Sequence, residues 1–481
     1  MFKNLTLLTD FYELTMMQGY FTKGFNRRAV FDLTYRQNPS NNGFAICAGL
    51  EQAIDYIKNL RFDEEDIAYL QLQGCFSSDF LEYLAEFRFT GEIYAVPEGT
   101  LLFPNEPVLR VKAPIIEAQL VETALLNIIN FQSLIATKAS RVVQAAAGNG
   151  VLEFGLRRAQ GPDAGVYGAR AAVIGGCNAT SNVLAGQLFD VPVRGTQAHS
   201  WIMSFDSELE SFREYVKIFP DSCTLLVDTY DTLKSGVPNA ITVFGELRAK
   251  GALRNYGIRL DSGDMAYLSK EARKMLDAAG FNDAVISASS DLDEYLIESL
   301  KLQGAKITLW GVGTKLITSS DCPAFGGVYK LAAEENSDGE FIPKIKLSEN
   351  PVKVSNPGVK KIFRIFDAET GKIKADLIAL DDEVIDTAQP LTLFDPLATW
   401  KRMTLSPGKY TVRELLVPVF INGECVYKSP SVMEIKEKCA RELETLWEEH
   451  RRLMNPHIIP VDLSQRLYDM KQSMIDEIRG Q

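Results

Sequence analysis

From residue 151 onward, short apolar runs alternate with helical segments, and this alternation constrains the fold more than any other feature. The six runs are VLEFGL, VPVRGT, CTLLVDT, YGIRLD, AVISAS and KITLWGVG. Strands that alternate with helices are typical of βαβ units, whose strands are parallel. Six or seven strands within about 180 residues favour a compact α/β barrel, although a doubly wound open sheet has the same alternation.

Each run ends in residues that can take part in chemistry. Because the carboxyl ends of parallel strands meet at one edge of a sheet, we expect these groups to lie together. Cationic and hydroxyl groups in such a place suggest a site for a small anionic substrate. The residues are Arg157; Thr196 and His199; Asp228 and Asp231; Asp261 and Asp264; Ser289 and Ser290; and Gly311, Gly313 and Thr314.

The flanking parts of the chain have a different character, which suggests a second domain. Residues 29–35 alternate like a strand, and residues 115–147 are strongly helical up to a Gly-Asn-Gly stop. The segment KIFRIFDAETGKIKADLIAL has a Glu-Thr-Gly turn between two alternating runs and predicts a hairpin. This hairpin could pair with the N-terminal sheet, which would make the first domain discontinuous.

Composition excludes several classes of protein. The 481 residues carry 63 acidic and 51 basic side chains, and a net charge of -12 argues against a general nucleic-acid binder. The 7 cysteines form no C-x-x-C pair, so neither a structural zinc site nor a disulfide framework is indicated, and reduced thiols fit a cytoplasmic protein. Asp10 and Glu13 interrupt the N-terminal stretch, which does not resemble a signal peptide, and we expect no membrane span.

The motif Trp310–Thr314 is a candidate phosphate cradle. Its glycines would let backbone N–H groups approach an oxyanion, and Thr314 would add a hydroxyl donor. Glycines also end strands for steric reasons, and the spacing is not that of a Walker A loop.

The strand-end carboxylates allow more than one interpretation. Near Arg259, Asp261 could hold Mg²⁺, bind ribose hydroxyls or stabilise a developing cation, although Asp-Ser-Gly-Asp is also good turn and N-cap chemistry. Asp228 and Asp231 could bind a metal or ribose, with helix capping by Asp231 as the competing interpretation. His199 could be a base, a ligand, a nucleophile or a packed side chain.

With these residues assembled, the chain resembles the nicotinate phosphoribosyltransferase family over essentially its whole length. The similarity rests on long motifs that occur in the expected order. They are LLTDFYELTMMQGYF, EFGLRRAQGPDAG, RGTQAHS, LVDTYDT, IRLDSGD, WGVGT and KLSENPVKVSNPGVKKIFR.

The resemblance implies a type II phosphoribosyltransferase fold, in which an irregular α/β barrel is accompanied by an α/β sandwich built from both ends of the chain. The segments would be 1–130 for the N-terminal part of the sandwich, 131–330 for the barrel, 331–430 for the β-rich return to the sandwich, and 431–481 for a C-terminal helical region. The family is typically a homodimer, and the region around Tyr12 would reach the partner's site.

The resemblance also implies a reaction and a set of residue roles. Nicotinate and phosphoribosyl pyrophosphate would give nicotinate mononucleotide and pyrophosphate, with coupled ATP hydrolysis and Mg²⁺. Nicotinamide phosphoribosyltransferase is the alternative within the class, quinolinate phosphoribosyltransferase is a weaker one, and a non-catalytic α/β-barrel binding protein is the alternative outside it. The implied roles are phosphorylation for His199, charge stabilisation for Asp261, nicotinate contacts for Tyr12, Thr196 and Arg259, and phosphoribosyl pyrophosphate contacts for Arg157, Gly311, Gly313 and Thr314.

Overall fold

The computed structural model describes residues 4–480, apart from the side chain of Val352, and the chain divides into two compact units. The central unit contains Ile135–Pro323 and Ser431–Lys436. The terminal unit contains the residues up to Leu134, Ala324–Pro430, and the residues from Glu437 onward. The terminal unit is therefore discontinuous in sequence and is built from both ends of the chain.

Helices and strands alternate in the central unit, whereas strands dominate the later part of the terminal unit. The helices are α1 Phe11–Thr22, α2 Leu50–Lys58, α3 Glu64–Leu72, α4 Ser78–Ala85, α5 Ile115–Leu120, α6 Glu122–Ala146, α7 Pro162–Ile174, α8 Val183–Phe189, α9 His199–Met203, α10 Glu208–Ile218, α11 Val237–Ala249, α12 Met265–Ala278, α13 Glu294–Leu302, α14 Thr314–Ile317, α15 Val432–Glu444 and α16 Gln465–Arg479. The strands are β1 Arg28–Tyr35, β2 Ala45–Ile46, β3 Glu92–Ala95, β4 Leu101–Leu102, β5 Leu109–Pro114, β6 Gly150–Glu153, β7 Ala179–Thr180, β8 Cys223–Leu226, β9 Tyr256–Leu260, β10 Val285–Ser290, β11 Leu309–Val312, β12 Gly327–Glu335, β13 Phe341–Pro343, β14 Lys360–Asp367, β15 Ile373–Leu380, β16 Leu391–Phe394, β17 Arg402–Leu405, β18 Tyr410–Glu414, β19 Val417–Ile421, β20 Glu424–Cys425 and β21 Val461–Leu463.

The central unit contains a six-stranded parallel sheet with the strand order β7-β6-β11-β10-β9-β8. The sheet curls into half of a barrel, which confirms the predicted irregular α/β barrel. Helices cover it, so its strands are apolar runs whose side chains are buried, as for Ile258 and Trp310. The parallel arrangement brings the carboxyl ends of β8, β9 and β10 to the same edge.

The predicted strand 191–196 is wrong. Only an isolated bridge between Thr180 and Val193 forms there, with Thr180 N–H donating to the Pro192 carbonyl at 3.0 Å and Arg194 N–H donating to the Thr180 carbonyl at 2.9 Å. Proline has no N–H to continue a ladder, so the segment joins β7 at one point and then continues as a loop.

The first predicted strand of the barrel is shorter than expected. Strand β6 ends at Glu153, and Arg157 lies in a single 3-10 turn, Leu156–Arg158. The buried Glu153 carboxylate accepts hydrogen bonds from Gly155 N–H and from the Thr180 hydroxyl, which turns the chain away from the sheet. Arg157 therefore does not lie on a strand.

Two larger sheets form the terminal unit. A seven-stranded sheet has the order β13-β12-β1-β5-β3-β19-β20, and a four-stranded sheet has the order β18-β14-β15-β21. The predicted hairpin forms as β14 and β15, but it joins the four-stranded sheet rather than the N-terminal one. Its apolar side chains, including Phe363, Ile365 and Leu377, pack in a cluster of their own with Leu393 and Leu405.

Within residues 4–480, no helix is long and apolar enough to cross a membrane. The seven cysteines are present as free thiols, and burial raises the pKa of the Cys47, Cys177, Cys223 and Cys439 thiols. These four thiols therefore carry no charge near neutral pH.

Candidate active site

Arg259 is the centre of the candidate site. It lies near the carboxyl end of β9, and three side chains hold its guanidinium group. Nε donates to Ser289 Oγ at 2.7 Å, Nη1 donates to Thr196 Oγ1 at 2.8 Å, and Nη2 donates to Asp261 Oδ1 at 2.8 Å. A guanidinium has five N–H donors, so two remain for a ligand, one on each terminal nitrogen.

Asp261 follows directly after β9 and is held from two sides. Its Oδ1 accepts hydrogen bonds from Arg259 and from the Ser289 hydroxyl, while its backbone N–H donates to Asp228 Oδ2 at 2.9 Å. Burial raises the pKa of Asp261, but the Ser289 hydroxyl, the Arg259 guanidinium and the nearby His199 outweigh burial and lower it below the ordinary value. The carboxylate is therefore ionised at neutral pH.

Asp228 joins the ends of two strands. It lies two residues beyond β8, and its side chain is only 2% exposed. Its Oδ2 accepts hydrogen bonds from Asp261 N–H and from the Ser262 hydroxyl, at 2.9 and 2.6 Å, while its Oδ1 is 3.2 Å from His199 Nε2. This carboxylate therefore fixes the histidine and the turn that carries Asp261.

His199 is an accessible histidine, not a packed one. It is the first residue of α9, and its side chain is 40% exposed. With Nε2 facing the Asp228 carboxylate, the other ring nitrogen, Nδ1, makes no hydrogen bond to any described residue. A neutral imidazole whose Nε2–H donates to Asp228 presents an unprotonated Nδ1, which is a nucleophile or base.

Two of the strand-end carboxylates cap the segments that follow them. Asp231 accepts hydrogen bonds from Leu233 N–H at 3.2 Å and Lys234 N–H at 2.9 Å, and it is exposed. Asp264 is the N-cap of α12 and accepts a hydrogen bond from Tyr267 N–H at 2.9 Å. In this structure Asp231 therefore caps the segment that follows it, which was the competing interpretation of this residue.

The glycine motif packs against an aromatic ring. A side chain on Gly311 would come within 2.7 Å of the Phe154 ring, and one on Gly313 would come within 3.1 Å of the Phe154 carbonyl. Thr314 begins α14, which has only 4 residues, and its hydroxyl makes no hydrogen bond to a described residue. Close packing against Phe154 is therefore one physical reason for Gly311, while Gly313 and Thr314 remain partly exposed.

Arg157 and Tyr12 make none of the hydrogen bonds described above for this cluster. Arg157 is exposed and forms no ion pair among the described residues. Tyr12 lies on α1 in the terminal unit and is 48% exposed, with its hydroxyl near Glu13. The cluster itself brings together Thr196, His199, Asp228, Arg259 and Asp261 from the predicted set.

Two further residues belong to the cluster: Ser289 was expected at this edge of the sheet but without an assigned role, and Phe154 was not expected there. Ser289 is 5% exposed and contacts both Arg259 and Asp261, and the Phe154 ring lies 5.8 Å from the Arg259 guanidinium. The position of Ser289 at a predicted strand end was the available signal. Phe154 had none, because an aromatic residue in an apolar run is typical of a core.

The carboxylates of this site do not form a metal cage. No group of three or more acidic, histidine or cysteine side chains in the described part of the chain is arranged to hold a metal ion. Both oxygens of Asp228 already accept hydrogen bonds or face His199. Mg²⁺ usually binds one or two carboxylates together with substrate phosphates, so any ion here would depend on the phosphates of a ligand.

Comparisons with known proteins point to one family in all three parts of the chain. Three family models match, described as the nicotinate phosphoribosyltransferase N-terminal domain over residues 7–130, the nicotinate phosphoribosyltransferase family over 150–329, and its C-terminal domain over 359–471. The chain is 47% identical to a Bacillus subtilis (strain 168) nicotinate phosphoribosyltransferase, with 99% of this chain and 96% of that protein aligned. It is 37% identical to a Caenorhabditis elegans nicotinate phosphoribosyltransferase, over 97% and 93% of the two chains.

A solved structure gives the same result for the fold. The crystal structure of human nicotinic acid phosphoribosyltransferase superimposes with a TM-score of 0.85 at 31% identity, covering 97% of this chain and 99% of the human one. Together with the strand-end cluster, these similarities identify the group of proteins. The chain belongs to the nicotinate phosphoribosyltransferase family.

Proposed function

We propose that this chain transfers a phosphoribosyl group to nicotinate. The pyridine nitrogen of nicotinate bonds to the anomeric carbon of phosphoribosyl pyrophosphate. The bond from that carbon to pyrophosphate breaks, and pyrophosphate leaves with the electron pair. Nicotinate mononucleotide is the other product. The names of the Bacillus subtilis, Caenorhabditis elegans and human relatives support this reaction.

The observation that carries the proposal is that the Arg259 guanidinium is held in place and still has N–H donors for a ligand. Thr196, Ser289 and Asp261 fix its guanidinium, and two N–H donors are left for a ligand. A pyridine carboxylate is an anionic group that such donors bind well, whereas the amide of nicotinamide has no charge. The Phe154 ring beside the guanidinium gives the pyridine an aromatic surface. Arg259 therefore selects nicotinate.

Asp261 acts on the ribosyl group. As pyrophosphate leaves, positive charge develops on the ribosyl ring, and an ionised carboxylate held in place stabilises that charge without reorganising. The Ser289 hydroxyl and Arg259 hold Asp261 in position and in its ionised form.

ATP hydrolysis is coupled to transfer through His199. Its Nδ1 attacks the γ-phosphorus of ATP, the bond to ADP breaks, and ADP leaves with the electron pair. Water later attacks the phosphorus of the phosphohistidine, which returns the imidazole and releases phosphate. Asp228 holds Nε2 and stabilises the charge on the modified ring.

The phosphates of the substrate bind at the ends of β6 and β11. Arg157 is an exposed cation on the turn after β6, and the Gly313 backbone and Thr314 hydroxyl lie at the end of β11 beside Gly311. Mg²⁺ enters with the substrate as the counter-ion of the pyrophosphate, and carboxylates such as Asp228 do not enclose it.

The active protein is a homodimer with shared sites. Phe11 and Tyr12 lie on the exposed side of α1, at 55% and 48% exposure, while Leu14 and Met17 are buried beneath them. An aromatic pair that remains exposed on a helix suits a subunit interface. Tyr12 stacks on the pyridine ring bound at the partner's site.

A product assay tests the transfer. The purified chain is incubated with nicotinate, phosphoribosyl pyrophosphate and Mg²⁺, with and without ATP, and nicotinate mononucleotide and pyrophosphate are measured by chromatography. We expect the two products in equal amounts and faster formation with ATP. A chain that binds nicotinate but forms no product under either condition would be a binding protein, and the proposed reaction would be wrong.

A further inference from the structure

A pocket of about 290 Å³ lies in the terminal unit, where α16 packs against the sheet that contains β15 and β21. Its volume is close to the lower end of the ~300–1,000 Å³ that small-molecule sites have. The segment 347–356, between β13 and β14, supplies another part of its wall. It shares no residue with the cluster around Arg259, which belongs to the central unit.

Much of the wall of this pocket is apolar. Ile378 and Leu463 form buried parts of it, and Leu347, Tyr468 and Ile475 add partly buried side chains. Apolar surface that stays in contact with solvent is unfavourable, so a hydrocarbon or ring that fills the pocket would gain free energy by displacing water. The body of a fitting ligand is therefore apolar.

One cation in this wall has no opposite charge beside it. Lys471 Nζ donates to Asn356 Oδ1 at 2.8 Å and forms no ion pair within residues 4–480. Burial and the positive charge of Lys360 lower the pKa of Lys471 to about 8, and Lys360 itself is paired with Asp32 at 2.7 Å. None of the described lining residues is acidic. A partly buried ammonium without a counter-charge is a costly arrangement that an anion would relieve.

We propose that this pocket binds a small monocarboxylate with an apolar body. The carboxylate pairs with Lys471 Nζ and accepts a hydrogen bond from the Asn356 amide N–H, which the lysine leaves free. The apolar body lies against Ile378, Leu463 and Ile475. One cation inside the wall matches a single negative charge, and Arg479 at the exposed side keeps the entrance positive.

Binding of hexanoate and of the neutral hexanamide to the full-length chain tests this site. We measure both by saturation-transfer NMR and calorimetry at neutral pH. We expect hexanoate to bind about tenfold more tightly than hexanamide, because only the carboxylate can pair with the ammonium. Equal affinity for the two compounds, or no binding of hexanoate, would overturn the proposal.

Variants locate the site. Lys471→Met should weaken hexanoate binding about tenfold or more and abolish the preference over hexanamide. Arg466→Met is the matched control, because Arg466 lies on the same helix and pairs with the exposed Asp382 outside the pocket. Ile475→Trp keeps the lysine but fills the pocket, so it should also abolish binding.

Two further measurements keep the outcome unambiguous. Thermal unfolding shows whether each variant folds. If Lys471→Met does not fold, the Ile475→Trp variant and the comparison of hexanoate with hexanamide decide whether the pocket binds a carboxylate. Arg259→Met should bind hexanoate like the wild type, because the proposed nicotinate site is elsewhere. Unchanged hexanoate binding in folded Lys471→Met and Ile475→Trp, or its loss in Arg259→Met alone, would contradict a site in this pocket.

Discussion

At the scale of single residues, the site depends on which groups are charged and which are already bound. Arg259 is held by three side chains, and Asp228 accepts two hydrogen bonds while facing His199. The lowered pKa of Asp261 follows from the same contacts, because its ionised form accepts hydrogen bonds from Ser289 and Arg259. Replacing any one of these groups therefore changes its neighbours as well.

Asp261→Asn tests charge stabilisation. The amide keeps the shape of the side chain but removes the negative charge, so we expect kcat to fall by about 10²–10³, with a smaller change in substrate binding. Steady-state kinetics and direct titration of nicotinate separate the two effects. Asp264→Asn is the matched control, because asparagine caps a helix as well as aspartate does. If Asp261→Asn loses affinity and keeps its kcat, Asp261 is a binding residue.

His199→Ala tests the coupling to ATP. The variant should neither hydrolyse ATP nor take up acid-labile label from γ-labelled ATP, because the attacking nitrogen is gone. A slow, ATP-independent transfer should remain, with weaker substrate binding by about 5–150-fold. His457→Ala is the control, since this exposed histidine lies in the terminal unit, and it should label normally. ATP hydrolysis in step with product formation by His199→Ala would exclude His199 as the carrier.

At the scale of elements, the strands of the parallel sheet are the part of the fold that the sequence predicted best. Five of the six apolar runs contain a strand of the parallel sheet, because buried parallel strands are continuous apolar runs that the sequence displays directly. The run at 191–196 does not, since Pro192 limits it to one bridge. The link from Asp228 to both His199 and Asp261 was not predictable, because it joins residues 29 and 33 positions apart.

Asp228→Asn tests this link between the ends of β8 and β9. The Asp261 N–H needs an acceptor, so the amide oxygen of asparagine would stay on that side and its nitrogen would face His199. Nε2 of His199 would then have to accept, which moves the ring proton to Nδ1 and removes the attacking lone pair. We expect both labelling of His199 and transfer to slow by about a hundredfold or more, as when the carboxylate beside a catalytic histidine is lost. Asp231→Asn is the control, because it keeps a helix cap. Loss of only one of the two rates would show that Asp228 serves only one partner.

At the scale of the whole molecule, residues from both chain ends build one unit and the strand-end cluster belongs to the other. The sequence predicted that the hairpin after residue 330 would pair with the N-terminal sheet, whereas it joins the four-stranded sheet. The sequence motifs did not predict the pocket beside α16 that contains Lys471, because its wall comes from segments that are far apart in sequence. Tyr12 lies in the terminal unit, and its proposed role places it at the site of a second copy of the chain.

Hybrid dimers test the shared site. A Tyr12→Ala chain and an Arg259→Ala chain should each be nearly inactive, because each lacks one half of every site. After subunit exchange, half of the dimers are mixed and each has one intact site, so about a quarter of wild-type activity should return. Mass spectrometry of differently tagged chains verifies the exchange. Exchanged dimers without activity would exclude a site completed by Tyr12 of the second copy.

The most direct test of the account is the ratio of kcat/KM for nicotinate to that for nicotinamide, measured for the wild-type chain and for Arg259→Gln. If the guanidinium selects a carboxylate, the wild type should prefer nicotinate by about 10³-fold or more, and Arg259→Gln should lose most of this preference while still folding. A wild-type chain that uses nicotinamide as well as nicotinate, or an Arg259→Gln variant with an unchanged ratio, would contradict it.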